Sequence, residues 1–275
     1  MADAAGMADA AVPRRGLRVP GARWRQAGAV VLGWAVFFGF WEFASQTLFN
    51  PFLLPGPLDV AEAIGDIVSS GNVVEHFRAS LTKIFLGFAL GVALGVPIGF
   101  LMGRSRYWKA FFHDPVMVAG SVPGITYAVL ALVIFGIGPE GPLIAVALIS
   151  MPYIALNVAA GLEGIDSSLM MMSRAFGRSR RDVFRHVLVP SITPFVFAGV
   201  RLSFALAWKV EALTEVFGSS SGIGFMIRRS YQLFSVVDVL AWTALFVIFM
   251  LLLERFVLLR LERHLFRWRP KEAPS

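Results

Sequence analysis

The chain contains no cysteine and, for a protein of 275 residues, few charged residues. The absence of cysteine excludes disulfide frameworks and thiolate metal sites. Charged residues make up 16% of the sequence, whereas a soluble protein carries about 25%. Hydrophobic residues account for 57%, the mean hydropathy is +0.70, and the apolar residues lie in several long runs. This composition predicts an all-α polytopic membrane protein.

Motifs for nucleotide or metal binding are also missing. A P-loop requires Gly-x-x-x-x-Gly-Lys-Ser/Thr, and no lysine of this chain follows a glycine: Lys83, Lys109, Lys209, Lys271. The histidines are scattered, without the His-Glu-x-x-His spacing of a zinc protease: His76, His113, His186, His264. We therefore expect no catalytic residue, no metal site and no cofactor in this chain.

Six apolar stretches are long enough to cross a bilayer, which takes about 20 residues of helix. We place them at residues 27–48, 82–103, 111–137, 142–162, 191–217 and 237–258. The third stretch contains Pro115, Pro123 and Gly124, so we expect an irregular start to that span. The second carries a glycine at every fourth position, which indicates close helix packing, with a moving interface as the alternative. These glycines are Gly87, Gly91, Gly95, Gly99 and Gly103.

One transmembrane domain, residues 27–262, is predicted between two polar tails. Residues 1–26 are small, polar and basic, and we interpret them as a disordered cytoplasmic tail. Residues 263–275 are predicted to form a second cytoplasmic tail. The sequence Met-Ala-Asp-Ala-Ala occurs at both Met1 and Met7, which leaves the true start open.

The lysines and arginines near the span ends are distributed asymmetrically. Nineteen would lie on the side of both termini and four on the other side. The nineteen fall within residues 14–25, 104–109, 174–185 and 255–271. The positive-inside rule then places both termini in the cytoplasm, and it explains the net charge of +7 without nucleic acid as a partner. Residues 58–75 would lie outside, where their apolar residues at helical spacing predict an amphipathic segment at the membrane surface.

Residues 163–190 form a polar, basic segment between two apolar spans. Apolar residues recur among its charges at helical spacing: Leu169, Met172, Phe176, Val183 and Val187. The segment is too long and too regularly patterned for a simple connector, and it ends at Pro190, which opens the next span. It predicts a docking element for a partner at the membrane surface. The alternative is a basic loop held by anionic lipid.

The end of this segment has a recognisable spacing. Gly177 is followed by nine residues and then by Val187, any residue, Val189 and Pro190. This spacing is similar to the Gly-(x)9-Ile-x-Leu-Pro of the "EAA" motif in the permease subunits of bacterial ABC importers. Further segments resemble that family in the same order: Leu54-Pro-Gly-Pro57, Phe135-Gly-Ile-Gly138, Asn157 with Gly161, Gly199-Val-Arg201 and Glu215-Val-Phe-Gly-Ser-Ser-Ser-Gly-Ile-Gly224. Together they resemble most the nitrate, sulfonate and taurine branch.

The first part of the motif differs from the family. Its Glu-Ala-Ala positions are occupied by Met171, Met172 and Ser173, so the family's glutamate and any salt link it makes are missing. Gly177 and Pro190 are kept, and both shape the backbone. Glycine permits a turn between two short helices, and proline can begin a span without losing a needed N–H.

The resemblance implies a type I ABC importer permease fold, in the bacterial inner membrane, and transport without covalent chemistry in this chain. ATP and Mg²⁺ would be bound by a separate pair of ATP-binding subunits, which hold one coupling loop from each of two permeases. Whether the two permeases are identical stays open. A periplasmic or lipid-anchored binding protein would deliver a small polar solute, anionic or containing nitrogen or sulfur. The implied coupling residues are Met171, Met172, Arg174, Ala175, Phe176, Gly177, Arg178, Arg181, Val183 and Pro190.

The fifth span carries four charges in an otherwise apolar helix: Arg201, Lys209, Glu211 and Glu215. A charge at mid-bilayer costs about 2.5–3.5 kcal/mol. No pair of opposite sign is four residues apart, so the partners must lie on other helices, in water or at the membrane interface. Lys209, the deepest, either balances a glutamate or attracts an anionic solute. The candidate pathway residues are Asn157, Lys209, Glu211 and Glu215.

There are two alternatives to an importer, a secondary transporter and an intramembrane enzyme. An ion-gradient-driven secondary transporter would use the charged fifth span as an ion relay, but no inverted repeat is visible between residues 27–137 and 142–258. An intramembrane enzyme needs paired catalytic groups at one depth, and no His–Asp, Ser–His or Glu–His set lies within a pair of spans.

Overall fold

The computed structural model describes residues 22–258 and Arg260. This part of the chain is helical, without strands, and the predicted all-α fold is confirmed. The helices are α1 (Ala22–Phe43), α2 (Pro57–Ser69), α3 (Val73–Arg104), α4 (Arg106–Ser121), α5 (Gly124–Phe135), α6 (Glu140–Glu163), α7 (Ser167–Ala175), α8 (Arg180–Val183), α9 (Val189–Gly218), α10 (Ile223–Gln232) and α11 (Val236–Leu253). Short π-helical turns follow α1, α8 and α11 at Ala44–Leu48, Phe184–Leu188 and Glu254–Leu258.

Five helices are long and apolar enough to cross a membrane, and the count is six if one bent pair forms a single span. Helix α1 begins at Ala22, inside the stretch predicted to be a disordered tail, because basic residues such as Arg25 do not interrupt a helix. The candidate membrane span within it is Ala27–Leu48. Residues 1–21 of that predicted tail, and the tail predicted at 263–275, lie outside the described part of the chain.

The second span is longer than predicted. Helix α3 begins at Val73 rather than at residue 82, because Glu75 and Arg78 lower the hydropathy of a stretch that is nevertheless helical. The predicted amphipathic segment 58–75 therefore divides into α2 and the first turn of α3. Pro57 is the first residue of α2, where the N–H that proline lacks would have no partner within the helix.

The third span is broken into α4 and α5, which meet at 94°. Pro115 lies inside α4, and the break falls at Val122–Pro123, in the middle of the predicted span rather than at its start. Two tyrosines stabilise the broken end. The hydroxyls of Tyr127 and Tyr153 donate to carbonyl oxygens in the last turn of α4, at 2.7 and 3.2 Å, where a helix end has too few backbone donors.

Helices α3 and α6 pack along the glycine ridge of the second span. A Cβ atom added at Gly91 would lie 2.8 Å from the Cβ of Ser150, and one at Gly95 would lie 2.8 Å from the carbonyl oxygen of Met151. These contacts leave no room for a side chain, so the backbones of the two helices approach closely. The prediction of close packing along this ridge is confirmed.

The bundle has two distinct ends. The loop end carries α7 and α8, which follow α6. At this end, Lys109 Nζ at the start of α4 donates to Glu163 at the end of α6 at 2.9 Å. At the opposite end, called the α10 end, the Gly138 N–H donates to the Gly218 carbonyl at 3.1 Å. There the turns before α6 and after α9 meet, next to α10. Segment 163–190 lies at the loop end, and the buried pair Lys83–Glu215 lies at the α10 end.

Candidate functional site

Segment 163–190 forms two short helices whose starts are capped by side chains. The Asp166 carboxylate caps α7 by accepting a hydrogen bond from the Ser168 N–H at 2.8 Å, and this bond lowers the pKa of the Asp166 carboxyl. The Ser179 hydroxyl oxygen caps α8 by accepting from the Asp182 N–H at 3.1 Å. That hydroxyl also donates to the Asp182 carboxylate at 2.8 Å. Local sequence therefore determines where both helices begin.

Gly177 makes the turn between α7 and α8. Its φ of +62° lies in the left-handed region that favours glycine. The Gly177 N–H donates to the Arg174 carbonyl at 3.0 Å, and the Arg178 N–H donates to the Ser173 carbonyl at 3.1 Å. These are the two hydrogen bonds of a Schellman helix end. The turn predicted at Gly177 is confirmed.

An apolar cleft of about 440 Å³ lies within this helical pair. Phe176 and Met172 both line it, and they are 75% and 50% exposed. Large apolar side chains left in water on a basic segment indicate an interaction surface. The lining residues are Met172, Ser173, Phe176, Arg178, Asp182, Val183, His186 and Val187.

The structure brings together only part of the predicted coupling set. Met172, Phe176, Arg178 and Val183 line the cleft. The other members on α7, α8 and the turn between them are exposed: Met171, Arg174, Ala175, Gly177 and Arg181. Pro190 is the second residue of α9 and is half-buried. Proline so close to the helix start is compatible with an uninterrupted helix.

A buried polar network joins α3, α9 and the start of α10 at the α10 end. Glu215 is fully buried and forms an ion pair with Lys83 of α3. Its carboxylate also accepts from the Ser80 hydroxyl and from the Gly224 N–H, each at 2.8 Å. Lys83 Nζ donates in addition to the Ser219 hydroxyl at 3.0 Å. Both charges therefore have the partners that a buried ion pair requires.

Glu211 lies one turn before Glu215 on α9 and is also fully buried. Within the described residues, neither oxygen of its carboxyl has a partner at hydrogen-bonding distance and angle. A buried polar group without a partner costs about 1–3 kcal/mol. In the described part of the chain, no group of three or more His, Cys, Asp or Glu side chains could hold a metal ion.

Lys209 does not pair with either glutamate of its own helix. Its side chain is exposed, and Nζ lies 5.5 Å from the ring centroid of Trp208, a cation–π contact. The next residue, Val210, packs against Gly124, the first residue of α5: a Cβ added at Gly124 would lie 2.8 Å from a Val210 methyl. Lys209 is therefore near the depth of the break in the third span.

Asn157 lies in the packing between α6 and α9. Its side-chain amide donates to the Tyr153 carbonyl of the same helix at 2.8 Å. A Cβ atom added at Gly199 of α9 would lie 2.8 Å from the Asn157 Cβ. The close approach explains why glycine occurs at position 199.

Lys83 and Ser80 belong to the network but were not predicted as site residues. Lys83 is one of the four basic residues counted on the outer side, since it is the second residue of the predicted span 82–103. A lysine inside an apolar run is itself a signal of an acidic partner. The identity of that partner depends on which face of α9 meets α3.

Comparison with known proteins identifies the family. Residues 95–269 match the family described as "Binding-protein-dependent transport system inner membrane component". The chain is 28% identical over 236 residues to the Bacillus subtilis "Putative aliphatic sulfonates transport permease protein SsuC", covering 86% of this chain and 85% of that protein. It is 27% identical over 234 residues to the Escherichia coli "Taurine transport system permease protein TauC", covering 83% of this chain and 85% of that protein.

The fold agrees with this result. A chain of the MetNI methionine ABC transporter, solved in inward-facing conformations, has a TM-score of 0.62 and 21% identity, and the match covers 72% of this chain and 97% of that one. At this identity the likeness establishes the fold alone, which is that of a type I ABC importer permease. The chain belongs to the family of binding-protein-dependent transport system inner membrane components, as a multi-pass permease subunit of an ABC importer.

Proposed function

We propose that this subunit imports a small polar solute by alternating access, driven by a separate ATPase that binds segment 163–190. The observation that carries the proposal is the exposed ring of Phe176 beside an apolar cleft. The segment holds this surface in shape through the Gly177 turn and the two capped helices. A well-packed apolar anchor with a charged rim is a common form of protein interface, and Arg178 and Arg181 supply the rim.

The fold supports a mechanical connection from this surface to the membrane. The helical path from Arg180 to Gly218 is 39 residues long, through α8, a π turn and α9. A displacement of α8 would therefore be passed to the fifth span. In this mechanism, ATP binding closes two ATP-binding subunits and moves the two coupling segments. This movement favours one of two arrangements of the packed helices.

We infer an orientation with the loop end in the cytoplasm and the α10 end outside. The basic residues of α7, α8 and the start of α4 support it through the positive-inside rule. At the α10 end, Lys83 is buried in an ion pair and contributes no free surface charge. Both chain termini would then be cytoplasmic.

The partners follow from this mechanism. ATP and Mg²⁺ belong to a dimer of ATP-binding subunits, since the sequence of this chain lacks a P-loop. A second, identical permease completes the pathway, and a periplasmic or lipid-anchored binding protein delivers the solute at the α10 end. Membrane lipids surround the spans, and nucleic acid has no part in the mechanism.

For the solute pathway, we favour the surface where Lys209 lies near the break between α4 and α5. Non-helical backbone at membrane depth is tolerated where it is buried in protein or lines a water-filled cavity. An exposed lysine at that depth would attract an anionic solute, and similarity to permeases named for sulfonates and taurine supports an anionic solute containing sulfur or nitrogen. Asn157, Glu211 and Glu215 lie in helix packing, which favours structural roles for them.

The coupling proposal is tested by Phe176→Ala in the complete importer, purified with its ATPase and reconstituted in liposomes. We expect loss of ATPase co-purification and of ATP-driven uptake, with normal membrane insertion. Phe111→Ala is the matched control, because Phe111 is 58% exposed near the start of α4 at the same end of the bundle. Full uptake by Phe176→Ala, or uptake that needs no ATP hydrolysis, would contradict the proposal.

The alternative of an ion-gradient-driven secondary transporter is not favoured. Membership of the importer family argues against it. In addition, Glu215 of the fifth span is occupied by Lys83 and Ser80, which leaves it less suited to relay an ion.

A further inference from the structure

The turn between α10 and α11 places a phenylalanine where a helix end usually carries glycine. Phe234 has φ +57°, and within the described residues no other side chain except glycine has a positive φ. The Phe234 N–H donates to the Tyr231 carbonyl, and the Ser235 N–H donates to the Ser230 carbonyl, each at 3.0 Å. These are the two hydrogen bonds of a Schellman helix end, the motif that also ends α7. At α7 the left-handed position is taken by Gly177.

Neither backbone preference nor burial explains a phenylalanine at position 234. The left-handed conformation brings a Cβ atom too close to the following carbonyl oxygen, and it is unfavourable for a bulky residue. The ring gains nothing from burial in this chain, since Phe234 is 78% exposed. A strained backbone that presents a large apolar side chain to the surroundings indicates a functional constraint, and contact with another molecule supplies one.

The segment between α1 and α2 extends this surface. A cavity of about 270 Å³ lies between that segment and the α10–α11 turn, and Phe52 and Phe234 both line it. Phe52 is 66% exposed. The segment is held in place by Trp41, whose Nε1 donates to the Pro55 carbonyl at 3.0 Å. We name the exposed large side chains of the two connections the outer patch: Phe52, Leu53, Tyr231, Leu233 and Phe234.

The rim of the outer patch is acidic. Asp59 of α2 lines the same cavity, and Glu62 and Asp66 follow it on that helix. All three side chains are exposed, and α2 contains no lysine or arginine. At about 100° per residue, positions 59, 62 and 66 lie within about 60° of one another, so they form one acidic stripe. Segment 163–190, at the loop end, is basic instead.

We propose that the outer patch and the acidic stripe dock the solute-binding protein, with Phe234 as the apolar anchor. The inference rests on the proposed function, in which the α10 end is outside and a binding protein delivers the solute there. The surface specifies the chemistry of its partner, which is an apolar recess for the Phe234 ring surrounded by lysine or arginine side chains. A ring held in position before the partner arrives loses less conformational freedom on association.

Charge and residue type favour a protein over the lipid surface as the occupant. Phe234 precedes the span Val236–Phe256 by two residues, and Phe52 follows the span Ala27–Leu48 by four, so both lie close to the membrane boundary. However, helices that lie on membranes carry lysine and arginine on their polar face, whereas α2 is acidic. The side chains that anchor spans at the interface are tryptophan and tyrosine, and anchoring requires no strained backbone. Lipid is therefore treated as an outcome of the test.

The first test is the affinity of the complete importer, in nanodiscs without ATP, for the purified solute-binding protein of the same importer. Phe234→Gly removes the ring and suits the left-handed position. We expect it to raise the thermal unfolding temperature of the permease and to raise the dissociation constant about tenfold or more. A purely structural role for Phe234 would not produce these two opposite effects. Ile137→Ala is the matched control and should keep the affinity, because Ile137 is exposed at the same end, between α5 and α6 and outside the cavity.

The second test is the charge of the partner. Glu62→Lys should slow association about threefold at low salt and reduce the dependence of the rate on ionic strength, because a charge at the rim acts mainly on the association rate. Glu140→Lys is the matched control, since Glu140 is an exposed carboxylate at the start of α6, at the same end of the bundle. Faster association of Glu62→Lys would show that the partner surface is acidic and would overturn the proposal.

Cross-linking identifies the occupant directly. Phe234→Cys accepts a benzophenone maleimide as the single label, because the chain has no native cysteine. After irradiation of the importer with its binding protein, we expect an adduct between the permease and the binding protein. Adducts with lipid or with a second permease in its place would overturn the proposal, as would unchanged affinity in Phe234→Gly. The proposed function fails on a different result, the absence of ATP-driven uptake by the unchanged importer, so the two failures are distinguishable.

Discussion

Lys83 on α3 and Glu215 on α9 form an ion pair with only 6% and 0% of their side chains exposed. The pair also connects α3 to the turn before α10, because Lys83 Nζ donates to the Ser221 carbonyl at 2.8 Å. A buried ion pair adds little net stability compared with apolar side chains, but the loss of one partner is costly. We interpret the pair as a specificity device that determines which faces of α3 and α9 meet.

Lys83→Met should lower the free energy of unfolding by about 3–5 kcal/mol, because it leaves the Glu215 carboxylate buried without a countercharge. The double substitution Lys83→Met with Glu215→Gln should recover at least half of the loss. Glutamine keeps an acceptor for Ser80 while removing the charge. Denaturant titration of the purified permease in detergent measures both. A double variant as unstable as the single one would argue against the ion pair.

Glu211 and Glu215 offer a matched comparison, since they lie one turn apart on α9 and are equally buried. Glu211→Leu should leave stability unchanged or raise it by about 1–3 kcal/mol, because the lost carboxyl has no hydrogen-bond partner within the described residues. Glu215→Leu should destabilise by about 3–5 kcal/mol, because it isolates Lys83. The same denaturant titration measures both variants. Equal losses in the free energy of unfolding for Glu211→Leu and Glu215→Leu would contradict this prediction.

The glycine ridge predicts a steric effect at Gly99. A methyl group there would overlap the Ala155 carbonyl oxygen and lie 2.7 Å from the Val158 Cβ. Gly99→Ala should therefore destabilise the protein by about 1–3 kcal/mol through overpacking. The control is Gly65→Ala on exposed α2, where no atom lies within 4 Å of the added Cβ and helix propensity favours alanine. Equal thermal stability of the two variants would contradict the packing.

Gly177→Pro should abolish binding of the ATPase without preventing membrane insertion. Proline fixes φ near −65°, whereas Gly177 has φ +62°, and the variant also loses the N–H that donates to Arg174. Gly177→Asn is the control, because asparagine tolerates the left-handed region, and it should retain most of the binding. Co-purification measures the association, and intact assembly with full uptake in Gly177→Pro would count against a docking role.

Lys209→Met tests the proposed solute surface. We expect unchanged assembly and stability, because the side chain is exposed and its described contact is the ring of Trp208, but a higher apparent KM for an anionic solute. Lys209→Arg, which keeps the charge, should restore uptake. Uptake of an alkanesulfonate, taurine and nitrate into proteoliposomes with the binding protein measures the effect. An unchanged KM in Lys209→Met would remove Lys209 from the pathway.

The local features were readable from the sequence because short-range rules govern them. Hydropathy located the spans, and the spacing from Gly177 to Pro190 identified the segment that forms α7 and α8. Hydropathy did not locate the start of α3, because the residues from Val73 to position 82 are helical although they include charged side chains. The short-range rules also misplaced the irregularity of the third span, because one proline, Pro115, is accommodated within α4 and another, Pro123, ends the helix.

The membrane class, the helical segments, the turn at Gly177 and the close-packing face of α3 follow from the order of the amino acids alone. Each of these depends on residues within a few helical turns of one another. The pairing of Lys83 with Glu215, the exposure of Lys209 and the cavity between the α1–α2 segment and the α10–α11 turn depend instead on how the helices pack. Helical periodicity specifies which residues share a face, but the neighbour of that face is determined by the packing of segments far apart in the chain.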